Sequence, residues 1–133
     1  MPLVRISLLK GKSPEHLRAI ADGVHAALVE TFQVPADDRF QLIHQHEPHE
    51  FFYDPGYLGV KRSDDVVFIH VTASRTRDTA TKKKLYAAIA ARLARDPGLR
   101  PQDVQVVLGP NEREDWSFGN GLAQYVPDTA TAA

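Results

Sequence analysis

Hydrophobic and polar positions along the chain switch between two periods, and each switch marks an element. Over residues 2–9, Val4, Ile6 and Leu8 alternate with Leu3, Arg5 and Ser7, the two-residue period of a strand with unlike faces. Lys10-Gly11-Lys12 breaks it. Ser13-Pro14 then starts a helix: the hydroxyl caps free amides, and proline takes the first helical position, where no N–H partner is needed. Leu17, Ile20, Ala21, Val24 and Leu28 continue as an apolar stripe at helical spacing. After Val34-Pro35, residues 39–46 read as a second strand, and a helix between two strands predicts a right-handed βαβ unit with parallel strands.

The pattern then returns. Residues 66–74 form a strongly apolar strand, 79–95 a helix with Leu85, Ile89 and Leu93 in register, and 103–108 another strand. Phe40-Gln41-Leu42-Ile43 echoes Val104-Gln105-Val106-Val107, as far from Pro2 as the second tetrad is from Val66. This weak internal duplication predicts an α+β fold of one domain: two βαβ halves, 2–46 and 66–109, share a four-stranded mixed sheet with two helices on one face. Residues 110–133 follow as a C-terminal segment. Val66, Val67, Phe68, Ile69 and Val71 leave neither face of the third strand polar, which implies burial on both sides. The face without helices is covered either by another copy of the chain or by the long segments 47–65 and 110–133. Segment 47–65, with its prolines, glycines and aromatic residues, reads as a loop or lid. Segment 115–126 carries the only tryptophan between glycine turns and suggests a hairpin, and the final PDTATAA suggests a frayed end.

Composition narrows the function. The 133 residues, 43% of them hydrophobic, suit a single core. Sixteen lysines and arginines against 17 acidic residues leave no basic excess for nucleic acid or an anionic membrane. The lack of cysteine removes disulfides, thiolate catalysis and sulfur-ligated zinc. The first residues have no secretory-signal pattern and no apolar run is long enough to span a bilayer, so a cytoplasmic protein is expected.

If the two halves are related by a pseudo-two-fold, the start of the first strand lies beside the end of the third. Pro2, Asp38 just before the second strand, and Arg75 and Arg77 just after the third then meet at one sheet edge. Pro2, exposed as a secondary amine by removal of Met1, can act as base, acid or nucleophile according to its surroundings. A Met-Pro start also simply favours methionine removal. Arg75 and Arg77 are two residues apart and in an extended segment could clamp one carboxylate, or form a solvated basic loop. Asp38 could pair with Pro2 or orient water, although Asp37-Asp38 before a strand also suits a turn. His44 and His46 share a strand face, but His49 lies beyond Pro48 and no spaced carboxylate completes a metal set, so no metal is expected. His16, His25 and His70 read as helix-surface or core residues, and Lys82-Lys83-Lys84 as an exposed helical face.

In these residues the chain resembles the tautomerase superfamily, and within it the malonate semialdehyde decarboxylase branch. The resemblance runs through Pro2-Leu3, Val34-Pro35-Ala36-Asp37-Asp38-Arg39-Phe40, Ser74-Arg75-Thr76-Arg77 and above all Asp115-Trp116-Ser117-Phe118-Gly119. It implies a cofactor-independent enzyme of small carboxylic acids with Pro2, Asp38, Arg75 and Arg77 catalytic. Arg75 and Arg77, with Trp116 and Phe118, would bind substrate. It also implies a homotrimer with sites near subunit boundaries. The reaction expected is decarboxylation of a 3-oxo acid such as malonate semialdehyde to acetaldehyde and carbon dioxide. The alternatives are tautomerisation of a 2-oxo or enol acid and hydration of an unsaturated acid, or a non-catalytic oligomeric binding protein if Met1 is retained.

Overall fold

A computed structural model describes residues 1–128. The elements run β1 (Pro2–Leu9), α1 (Pro14–Phe32), β2 (Gln41–His46), β3 (Val67–Ala73), α2 (Thr79–Arg95) and β4 (Val104–Pro110). The helix starts follow the chemistry of their caps. Ser13 Oγ accepts the His16 amide at 3.1 Å and Asp78 Oδ1 the Thr81 amide at 2.8 Å. α1 stops where Gln33 turns into the left-handed region at φ 60°.

The strands form one sheet in the order β2-β1-β3-β4. β1 pairs with β2 in parallel and β3 with β4 in parallel, while β1 and β3 run antiparallel at the centre. Both βαβ halves therefore exist as expected, related across the β1–β3 pair. Val4, Ile6 and Leu8 from β1 and Val67, Ile69 and Val71 from β3 bury one face under Ile20, Val24 and Leu28 of α1 and Leu85, Ile89 and Leu93 of α2. The helices meet at Gly23, where a Cβ would lie 2.8 Å from Leu93 Cδ2, so any larger residue requires the Leu93 side chain to shift.

The other face corrects two expectations. β3 is not apolar on both sides: Phe68 and Thr72 are half-buried there and His70 is exposed. Segment 47–65 covers part of this face, with Phe51 packed between His46 and Phe68 at ring separations of 5.7 and 5.5 Å. That segment is knotted by Arg62, whose guanidinium donates to the carbonyls of Asp54, Tyr57 and Val60. Leu42 and Val107, elsewhere on the same face, stay 45% and 56% exposed. Residues 115–126 make no paired strands. The chain reverses through Gly119, Asn120 and Gly121, all at positive φ. Gln124 closes the reversal with its side chain, accepting from the Phe118 amide and donating to the Gly119 carbonyl, each at 2.9 Å. Of the PDTATAA end, residues 129–133 lie outside the described residues. No helix among the described residues is long and apolar enough to cross a membrane.

Candidate active site

The antiparallel register sets Pro2 opposite Ala73, which brings the chain start against the residues that follow β3. The amine of Met1 lies 3.6 Å from Asp38 Oδ2 and donates to the buried Ser74 hydroxyl at 3.4 Å. Asp38 is delivered by a tight turn, its amide donating to the Pro35 carbonyl at 3.0 Å. His25 of α1 steadies that turn by donating from Nε2 to the Ala36 carbonyl at 2.9 Å. The second carboxylate oxygen of Asp38 is buried and finds no hydrogen-bond partner among the described residues. A buried acceptor without a donor is costly.

The arginine pair splits in two. Arg77 is half-buried and fixed: its guanidinium donates to the carbonyls of Arg75 and Phe32 at 2.9 and 3.4 Å and lies 4.5 Å above the Phe32 ring. The Arg75 side chain is exposed and makes no hydrogen bond or ion pair among the described residues. Both line a narrow, partly open crevice between Phe32, Leu108 and Pro110. Lys82 also reaches this crevice, so the lysine run is not wholly the solvated face expected from its sequence.

The electrostatics at the chain start are mixed. Burial pulls the N-terminal amine below its ordinary value of 8.0, the Asp38 carboxylate pushes it back up, and the Arg77 and Arg113 charges pull it down, with a net lowering. Burial, with the neighbouring Arg75, lowers Arg77 as well.

Trp116 and Phe118 join this edge through the strap that follows β4. The Asn111 amide donates to the Ala73 carbonyl at 2.9 Å, and Trp116 Nε1 donates to Asn111 Oδ1 at 2.8 Å. Phe118 stacks on Trp116 with ring centroids 5.6 Å apart, and Tyr125 meets Phe118 edge-on at 4.9 Å. The structure thus brings Pro2, Asp38, Arg75 and Arg77 to one edge and ties the aromatic pair to it. Sequence reasoning missed Arg113, which is placed by the strap rather than by a strand or helix pattern, and Phe32, which reads as an ordinary core residue. The histidines of β2 are spent elsewhere: His44 Nε2 pairs with Arg5 at 3.2 Å, and His46 packs on Phe51.

Comparison with known proteins agrees with this architecture. Residues 38–119 and 2–61 match two family models, each described as Tautomerase enzyme. Two proteins of Bacillus subtilis (strain 168) align over 95% of the chain. The first, Probable tautomerase YusQ, is 46% identical over 99% of its own length; the second, Probable tautomerase YrdN, is 39% identical over 97%. Among solved structures, a malonate semialdehyde decarboxylase studied in wild-type, mutant and inactivated forms superposes with a TM-score of 0.87 at 38% identity, over 92% of this chain and 95% of that one. A second, inhibited by 3-bromopropiolate, gives 0.86 at 45% identity, over 92% and 93%. A symmetric trimer of fused 4-OT, 20% identical with a TM-score of 0.72 over 90% and 94%, shares the fold. The duplicated βαβ sheet is thus matched by relatives along nearly its whole length, and the chain belongs to the tautomerase family.

Proposed function

We propose that Pro2, freed by removal of Met1, is the catalytic amine of a cofactor-independent decarboxylase acting on a 3-oxo acid such as malonate semialdehyde. The observation that carries this reading is the meeting at one sheet edge of the chain start, Asp38 and the Arg75–Arg77 pair. The likeness to two malonate semialdehyde decarboxylases, at 38% and 45% identity, supports the substrate class.

In this mechanism Asp38 favours the cationic amine, and Pro2 donates a hydrogen bond to the aldehyde oxygen. Arg75 and Arg77 hold the carboxylate with its C–C bond perpendicular to the carbonyl plane. That bond breaks, carbon dioxide leaves, and the electron pair passes into an enolate whose oxygen is held by the Pro2 proton. The Pro2 ammonium then gives its proton to the carbon, yielding acetaldehyde, and is reprotonated from solvent. Trp116 and Phe118 wall the site from water, which favours the less charged transition state.

A second reading is tautomerisation of a 2-oxo or enol acid with Pro2 as neutral base, for which the burial of the chain start and the Arg77 charge beside it speak. In either reading the exposed Leu42 and Val107 on the open sheet face suit contact with further copies in a homotrimer. The test is to incubate processed protein and Pro2→Ala with malonate semialdehyde and with phenylenolpyruvate. Release of carbon dioxide and acetaldehyde is expected from the processed protein and a loss of at least about 100-fold in the variant. Equal rates would sink the role of Pro2, and ketonisation without decarboxylation would replace the first reading by the second.

A further inference from the structure

The buried Oδ1 of Asp38 has no hydrogen-bond partner among the described residues, and its Oδ2 faces the amine at the chain start at 3.6 Å. The carboxylate is therefore placed by the backbone that carries it. That backbone leaves α1 and crosses an exposed stretch, residues 35–37, before it reaches Asp38.

Ties to α1 fix the segment on either side of Asp38. Downstream, Arg39 donates to Asp22 Oδ1 at 2.6 Å and to Gln41 Oε1 at 2.8 Å, and Gln41 Nε2 donates to the Ala21 carbonyl at 2.8 Å. Upstream, the tie is His25, whose Nε2 lies 2.9 Å from the Ala36 carbonyl. Asp22 and His25 are three residues apart, so one face of the helix carries both ties. Ala36 sits inside the turn that the Asp38 amide closes onto the Pro35 carbonyl at 3.0 Å. A carbonyl only accepts, so the imidazole carries a proton on Nε2, as it does in one neutral tautomer and in the cation. The bond thus survives a change in the charge of His25.

We infer that His25 is a positioning residue: its bond to Ala36 holds the turn so that the Asp38 carboxylate stays against the amine at the chain start. This rests on Pro2 and Asp38 acting together, but not on which reaction they carry out.

The experiment reads the amine itself. Processed protein made with isotope-labelled proline is titrated by nitrogen NMR, following Pro2, in wild type, Asp38→Asn, His25→Ala, His25→Gln and the double variant of His25→Ala with Asp38→Asn. Thermal melting is recorded for each. The other influences on this amine, its burial and the Arg77 and Arg113 charges, are common to all of them. Asp38→Asn lowers the titration midpoint by about one pH unit and His25→Ala by about half as much. His25→Gln, which offers the carbonyl an amide N–H of similar reach, restores most of the loss. The double variant titrates with Asp38→Asn, because a residue that acts through Asp38 then has nothing to act on. A wild-type midpoint in His25→Ala, or a double variant below Asp38→Asn, overturns the inference and leaves the pairing of Pro2 with Asp38 intact. A midpoint unmoved by Asp38→Asn overturns that pairing and the inference with it. A merely structural His25 would lower the melting temperature of His25→Ala and leave the midpoint alone.

Discussion

Arg77 is held to Phe32 twice, by a hydrogen bond to its backbone carbonyl and by the face of its ring. The end of α1 therefore sets the direction of a guanidinium that belongs to the loop after β3. Phe32→Leu keeps an apolar side chain in the core and the carbonyl in place, but removes the ring. Losing a cation–π contact of about 1 kcal/mol loosens Arg77. Under the proposed reaction, KM rises roughly fivefold while kcat changes less. Steady-state kinetics check this, with thermal melting to separate loss of packing.

Asp38 and the arginines pull the amine at the chain start in opposite directions, and the sign of each substitution follows. Asp38→Asn removes the carboxylate that favours a charged amine at the chain start and leaves burial and both arginine charges in place, so the Pro2 amine of the processed chain is expected to titrate lower than in the wild type. If Pro2 acts as the acid, the alkaline limb of kcat/KM moves to lower pH. Arg77→Gln moves it the other way. For Pro2 as base the same substitutions shift the acidic limb, so pH–rate profiles of the two variants identify both the partner and the role.

Asp103 anchors segment 47–65 to the start of β4. Only 1% exposed, it accepts from the Ser63 amide and hydroxyl at 2.6 and 2.7 Å and from Arg100 Nε at 3.3 Å. Burial pushes its carboxyl up, but the Ser63 bonds and the Arg100 charge outweigh it and hold the group below 3.8. The stabilisation is complete above the unfolded value and is lost as pH falls through the lower folded value. Asp103→Ala strands the Ser63 donors and is expected to cost about 3 kcal/mol at pH 7. Urea melts at neutral pH and near pH 3 check this: the variant and wild type converge on the acid side.

The sheet and helices were legible because each has one buried face with a strict period, and caps such as Ser13 and Asp78 act within four residues. β2 begins at Gln41 rather than Arg39: the Phe40 carbonyl opens the ladder with Val4, and Arg39 turns its side chain to Gln41 and to Asp22 of α1, at 2.8 and 2.6 Å. The site edge was legible for the same reason as the sheet: a pseudo-two-fold fixes which strand ends are neighbours. The strap was not. Its path depends on Asn111, Trp116 and Gln124 bonding across reversals that leave no repeating pattern, and Arg113 is carried by that path.

The near-symmetry of the two halves gives the sheet two comparable ends, yet only one can host amine chemistry. At the other, the counterpart of Pro2 is Val66, fully buried within the chain, and Lys12 is tied to Asp65 beside it. A nitrogen inside a peptide has no basicity, so fusing two βαβ units into one polypeptide retires one reactive terminus for each that it keeps. The silent end, where segment 47–65 joins the halves, lies at the opposite end of β1 and β3 from Pro2.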